Sequence, residues 1–246
     1  FSSPFDETAV DFLESLNAPC YKIASFENTD VNLIRRVAQT GKPIIMSTGM
    51  ATVAELDDAV RVIRDAGNPN IILLKCTSTY PASPETSNIL TIPHMRGLFE
   101  CVIGLSDHTM GTGVSVAAVA LGAAVIEKHM TLARADGGVD SAFSMEPDEM
   151  AALVEETRRA FSSLGRVCYG AASDQEEKSR KYRRSLYIAR DLKAGDVLDE
   201  TAVRAVRPGF GLPVRYFSLV LGKRVRRDVK KATPLSFDLL FSSVED

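Results

Sequence analysis

No run of about 18 apolar residues occurs anywhere in the 246-residue chain, so no segment is expected to cross a bilayer as a helix. Nothing resembles an export leader either, and secretion is not expected. Four cysteines, Cys20, Cys76, Cys101 and Cys168, stand far apart with no C-x-x-C pair. That spacing argues against a disulfide or zinc framework and for buried thiols in a reduced, cytoplasmic compartment. An excess of charge is missing too: 29 Lys and Arg against 32 Asp and Glu leave a formal charge of -3. Neither nucleic acid nor an anionic membrane is therefore an expected partner, and the basic run 223–231 reads as a solvated edge strand. What is present is an ordinary globular mixture, 45% apolar and 25% charged, whose default partner is a small molecule. The length exceeds one typical core, which favours a large domain followed by a small one.

From residue 1 to about 164, short apolar runs alternate with amphipathic stretches. That rhythm predicts β/α units around a parallel sheet. The predicted strands are the segment at Phe1 and residues 20–24, 43–47, 71–76, 101–105 and 124–128. They are almost continuously apolar, as strands covered on both faces should be. Helices are predicted over 8–16, 31–39, 54–66, 93–99, 113–121 and 146–164; the third has Thr52 and Glu55 at capping-box spacing and stops at Gly67. Residues 165–184 turn glycine-bearing and charged, the composition of a linker. Beyond it, 185–188 reads as a strand, 199–203 as a short helical turn and 207–212 as a rigid loop in a small mixed β domain, 185–246. The chain starts at Phe1 in a segment that reads as a strand already ending.

In a parallel β/α barrel, chemistry gathers where strands give way to loops. The predicted strand ends carry Ser3; Lys22, Ser25 and Glu27; Ser47 and Thr48; Thr77, Ser78 and Tyr80; Ser106, Asp107 and His108; and Lys128, His129 and Thr131. Any one Ser or Thr there can simply cap a helix. Lys22 is different, because an ammonium inside an apolar strand needs an anionic partner. His108 and His129 hold matching positions on successive strands, a pattern suited to a divalent ion. His94 reads as a structural histidine.

The motifs FSSPFDE (1–7), YKIASFE (21–27), STGM (47–50), CTSTYP (76–81), GLSDHT (104–109) and EKHMT (127–131) follow in an order that resembles the sialic acid synthase family. The tail from Ser185 resembles the antifreeze-like, or SAF, domain fused to the same barrel. Within the family, VDSAFSM (139–145) and the Arg183-Arg184-Ser185-Leu186 entry to the cap are similar to the pseudaminic branch. The resemblance implies an eight-stranded TIM barrel of which this chain lacks the first strands, so that the site of the polypeptide as given would be incomplete. It implies condensation of phosphoenolpyruvate with an open-chain 2,4-diacetamido-2,4,6-trideoxy hexose and release of phosphate. Lys22, Ser3, Ser25, Ser47, Ser78 and Ser106 would grip phosphoenolpyruvate, although the family often has Asn where Ser78 stands. Glu27 would handle a proton, His108 and His129 would hold Mn²⁺ or Mg²⁺, and Tyr80 and Asp140 would meet the sugar. Arg207, in a loop stiffened by Pro208, would reach from one subunit's cap into the other's barrel in a domain-swapped homodimer. Two alternatives stay open: a synthase of N-acetylneuraminic or legionaminic acid, and a non-catalytic fragment whose cap binds carbohydrate or a partner.

Overall fold

The computed structural model describes residues 1–241, so the last five residues of the expected cap, 242–246, lie outside the described residues. The chain divides into two compact units, Phe1–Gly165 and the part from Arg166 onward.

In the first unit five strands, β1 (Tyr21–Ile23), β2 (Ile44–Ser47), β3 (Ile71–Cys76), β4 (Val102–Asp107) and β5 (Ile126–Lys128), pair in parallel in chain order. Helices α1 (Glu7–Ser15), α2 (Val31–Ala38), α3 (Val53–Asp65), α4 (Thr91–Phe99) and α5 (Gly113–Ala120) connect or flank them, and α6 (Pro147–Leu164) follows β5. Side chains start the first three helices: Asp6 accepts from Ala9 N, Asp30 from Asn32 N and Leu33 N, and Thr52 and Glu55 cap one another's backbone. Helix α4 starts two residues before its predicted beginning. Pro93 fits in its first turn, where a backbone N–H would have no helical acceptor.

Alternation along each strand separates core from site. Tyr21, Ile23, Ile44, Met46, Ile71, Leu73, Ile103 and Leu105 join the buried faces of α2 and α3 in one apolar cluster. Lys22, Ser47, Cys76 and Ser106 occupy the alternate positions. The sheet is rolled. In a flat sheet β1 and β5 would lie four spacings, about 19 Å, apart, yet Lys22 Nζ on β1 comes within 3.6 Å of Glu127 Oε1 on β5. The fold is thus half of a TIM-type α/β barrel. Gly104 lets β4 approach the residue before β5 closely, since a Cβ there would stand 2.4 Å from the Val125 carbonyl oxygen.

Strand expectations also change in this unit. The Phe1 segment is not a strand; it contributes one parallel bridge, Ser2 to Tyr21. Strand β4 continues two residues past its predicted end, because Ser106 and Asp107 still pair with Glu127 and Lys128.

In the second unit β6 (Ser185–Ile188) runs antiparallel to β7 (Val203–Val206) over a core that includes Leu186, Ile188, Leu198, Val220, Val225 and Leu235. The helical turn predicted over 199–203 is only a tight turn. Asp199 accepts from Thr201 N and Ala202 N, and Val203 already begins β7. The segment read as linker is partly helical, with α7 (Asp174–Lys178) capped by Ser173. Cys168 lies there exposed; of the four thiols only Cys76 is buried, which corrects the expectation of buried cysteines. None of the helices of the described residues is long and apolar enough to span a membrane.

Candidate active site

The strand ends of the rolled sheet bring polar side chains from all five strands together. Lys22 is buried, and Nζ donates to Ser47 Oγ at 2.8 Å with Glu127 Oε1 3.6 Å away. Ser106 Oγ donates to the same Glu127 oxygen at 2.7 Å. A second group surrounds Cys76, whose Sγ lies 3.3 Å from Ser25 Oγ, 3.8 Å from Ser78 Oγ and 4.0 Å from His108 Nδ1. Gly49, at φ +47°, makes this meeting possible, since a Cβ there would fall 2.6 Å from Ser25 Cβ and 2.8 Å from Ser78 Oγ. Asn28 fixes the loop after β2 by donating to the carbonyls of Ser47 and Thr48.

The third group is aromatic. The rings of His108 and His129 have centroids 5.1 Å apart, Tyr80 packs at 4.4 Å from His108, and Phe143 at 5.1 Å from His129. His108 Nδ1 lies 2.9 Å from the Thr77 carbonyl and must donate to it, so that in the neutral ring the lone pair sits on Nε2. Asp140 Oδ2 stands 3.5 Å from His129 Nδ1. Residues 140–145 are held against the β5 end by backbone hydrogen bonds from Met145 N to His129 O and from Thr131 N to Met145 O, both 2.9 Å.

Electrostatics differ between the two imidazoles. Burial, with the charge of His108 adding to it, lowers the proton affinity of His129 and favours its neutral form. Burial also acts downward on His108, but its bonds to Cys76 and the Thr77 carbonyl win and the net shift is upward. Cys76 shows the counterpart: burial alone would raise it, yet hydrogen bonds from His108, Ser25 and Ser78 bring it down to about 7. Burial raises Tyr80.

Of the residues picked from sequence, Lys22, Ser25, Ser47, Ser78, Tyr80, Ser106, His108, His129 and Asp140 thus take part in these connected groups. Ser3 is half-buried and makes no polar contact among the described residues. Glu27 is half-buried, and its Oε2 is shielded from solvent with no hydrogen-bond partner. An orphaned carboxylate oxygen of this kind calls for a donor from a ligand or water. Arg207 is exposed, in the second unit, and His94 lies exposed on α4. Ser185 Oγ donates to the Pro208 carbonyl and accepts from Gly211 N, which fixes the loop after Arg207.

Sequence reasoning missed Glu127, Cys76 and Phe143. Strand alternation held a signal for the first, since Glu127 precedes His129 by two residues as Ser106 precedes His108. For Cys76 the sequence supports only the expectation of a buried thiol.

The spacing of the two imidazole rings matches that of two histidines sharing a divalent ion. At bonds of ~2.1 Å, two histidines in neighbouring coordination positions place their ring centres ~5 Å apart, and the observed separation is 5.1 Å. Among the described residues no group of three or more His, Cys, Asp and Glu side chains gathers for a metal. Further ligands would come from outside the described residues.

A rolled parallel sheet with a lysine, clustered hydroxyls and paired imidazoles at its strand ends defines a barrel protein suited to an anionic small molecule. The NeuB family model matches residues 1–169 and the SAF domain model residues 183–240. The chain is 42% identical over 238 residues to a pseudaminic acid synthase from Helicobacter pylori, covering 97% of this chain and 70% of that protein. An N,N'-diacetyllegionaminic acid synthase from Campylobacter jejuni is 35% identical over 232 residues, with 94% and 70% covered. A solved N-acetylneuraminic acid synthetase from Leptospira borgpetersenii superposes with a TM-score of 0.67 at 36% identity, over 73% of this chain and 63% of that one. The chain belongs to the NeuB family, with a C-terminal SAF domain, and its class is that of carbon–carbon bond-forming transferases.

Proposed function

We propose that the chain makes pseudaminic acid, joining phosphoenolpyruvate to 2,4-diacetamido-2,4,6-trideoxy-altrose with loss of phosphate. The observation that carries this reading is the 42% identity to a pseudaminic acid synthase, against 35% to a legionaminic acid synthase over nearly the same residues. The segment 139–145, on which the sequence pointed to this branch, packs Phe143 and Asp140 against His129.

In this reading Lys22, with Ser25, Ser47, Ser78 and Ser106, takes the phosphate and carboxylate of phosphoenolpyruvate, and Ser3 adds to them from the chain start. Lys22 already sits between a hydroxyl and a carboxylate, so it is held in place before an anion arrives. His108 and His129 would hold Mn²⁺ or Mg²⁺, which when bound supplies Lewis-acid stabilisation of the oxygen of the sugar aldehyde. Tyr80 and Asp140 orient the sugar's hydroxyl and acetamido groups beside the imidazoles. The enol carbon C3 attacks the aldehyde carbon, water adds at C2, and the C2–O bond breaks so that phosphate leaves with the former bridging oxygen. Glu27, with its unpartnered buried oxygen, takes the proton of that water. Arg207 enters the barrel of a second copy and closes the site there. Overall one water is consumed and one phosphate released per sugar acid formed.

The chain extended to eight barrel strands is expected to release phosphate faster with the diacetamido-trideoxy-altrose than with N-acetylmannosamine or the legionaminic precursor when these sugars are offered in parallel. Equal or better turnover of either competitor would place the chain in that sugar's branch.

A further inference from the structure

Asp107 and Lys128 stand opposite one another in the parallel register of β4 and β5, and each directly precedes one of the two imidazoles. Their side chains meet at 2.9 Å with 1% and 3% exposure. The pleat puts them on the helix-facing side of the sheet while His108 and His129 take the interior side. Asp107 is fully occupied: it also accepts from Thr109 N at 2.9 Å, Thr109 Oγ1 at 2.7 Å and Ser115 Oγ on α5 at 2.6 Å. Lys128 in turn donates to the Thr109 carbonyl.

Stability alone is a weak reason for such an arrangement, because buried ion pairs can often be replaced by well-packed apolar residues without loss. Its location supplies a better one. We propose that Asp107 and Lys128 are a positioning pair that clamps the ends of β4 and β5 from behind and so sets the separation of His108 and His129. The pair stiffens two successive strand ends against sliding, and α5 holds the clamp through Ser115. The link to metal binding rests on the reading that both imidazoles share a divalent ion; the link to ring spacing does not.

The test uses Lys128→Met and Ser115→Ala in the full chain, with two readouts. One is the affinity for Mn²⁺ alone by calorimetry. The other is the nuclear Overhauser contact between the two imidazoles in histidine-labelled protein, where the chain's 3 histidines keep the spectrum sparse. In folded Lys128→Met, Mn²⁺ affinity is expected to fall by about 10- to 100-fold, as is usual when a group orienting a ligand is lost, and the inter-imidazole contact to weaken or vanish. Ser115→Ala should move both in the same direction by less. A folded Lys128→Met with unchanged ring contact and Mn²⁺ affinity within about twofold of the parent overturns the proposal. Should Lys128→Met not fold, an unchanged ring contact in Ser115→Ala overturns it instead. A parent chain that binds no Mn²⁺ would sink the metal reading, while the ring contact would still decide for or against the clamp.

Discussion

His129→Ala is expected to lower turnover of the barrel-complete chain by about three orders of magnitude and to weaken Mn²⁺ binding with it. The size follows from what a Lewis acid contributes to a developing alkoxide, several kcal/mol, at ~1.4 kcal/mol per tenfold in rate. Direction follows from the site. Burial favours the neutral form of His129, the form that can ligate, and its ring is held between Phe143 and the His108–Tyr80 pair. Alanine removes a ligand and leaves His108, which alone holds a divalent ion poorly. Chelation of the parent should mimic the variant reversibly, with activity returning when Mn²⁺ is restored. Full metal-dependent turnover in His129→Ala would take this residue out of the site.

The second large effect joins the barrel to the cap. Lys22→Ala and Arg207→Ala are each expected to lower kcat/KM by roughly 10- to 150-fold, the equivalent of one charge-assisted hydrogen bond of ~1.5–3 kcal/mol. Lys22→Ala also leaves Glu127 without its cation, beside a bound anion. Arg207 is exposed in the second unit and has no polar partner among the described residues, so it is free to serve a distant ligand. Its loop is well anchored, because Gly209 N donates to the Lys181 carbonyl and Ser185 bonds both sides of the turn. If caps are exchanged in a dimer, mixing the two variants restores one working site in each heterodimer, an intact barrel under an intact foreign cap. About half the heterodimer's sites then work, by two-fold symmetry. With an arginine that serves its own barrel, each heterodimer holds two broken sites. No recovery after verified subunit exchange would rule out cap exchange and leave the barrel chemistry standing.

The elements of the first unit were legible because each leaves a local trace. Apolar continuity marked β2 and β3, and the Thr52–Glu55 pair and Gly67 marked the two ends of α3. Most of the candidate site was legible for a related reason, since strand ends with hydroxyls, a lone lysine and histidines are unusual enough to be noticed. What stayed hidden depends on contacts across the sheet. Glu127 gains meaning only when the roll of the sheet brings Lys22 from the far strand to it, and Cys76 only when Ser25, Ser78 and His108 converge on it. Phe143 lies in a loop, where no periodicity announces that it will fold back onto His129. The turn at Asp199 was misread because Asp, Thr and Ala start helices and tight turns alike; pairing of β7 with β6 decided between them.

Phosphoenolpyruvate carrying ¹⁸O in the oxygen that bridges C2 and phosphorus gives the most direct measurement. The barrel-complete chain is supplied with this substrate, the diacetamido-trideoxy-altrose and Mn²⁺, and the isotope content of the released phosphate is read by ³¹P NMR. Condensation with C2–O cleavage predicts phosphate that retains the label and appears only when the sugar is present. Unlabelled phosphate, or release indifferent to the sugar, would contradict the assignment of these strand-end residues to a phosphoenolpyruvate-condensing synthase.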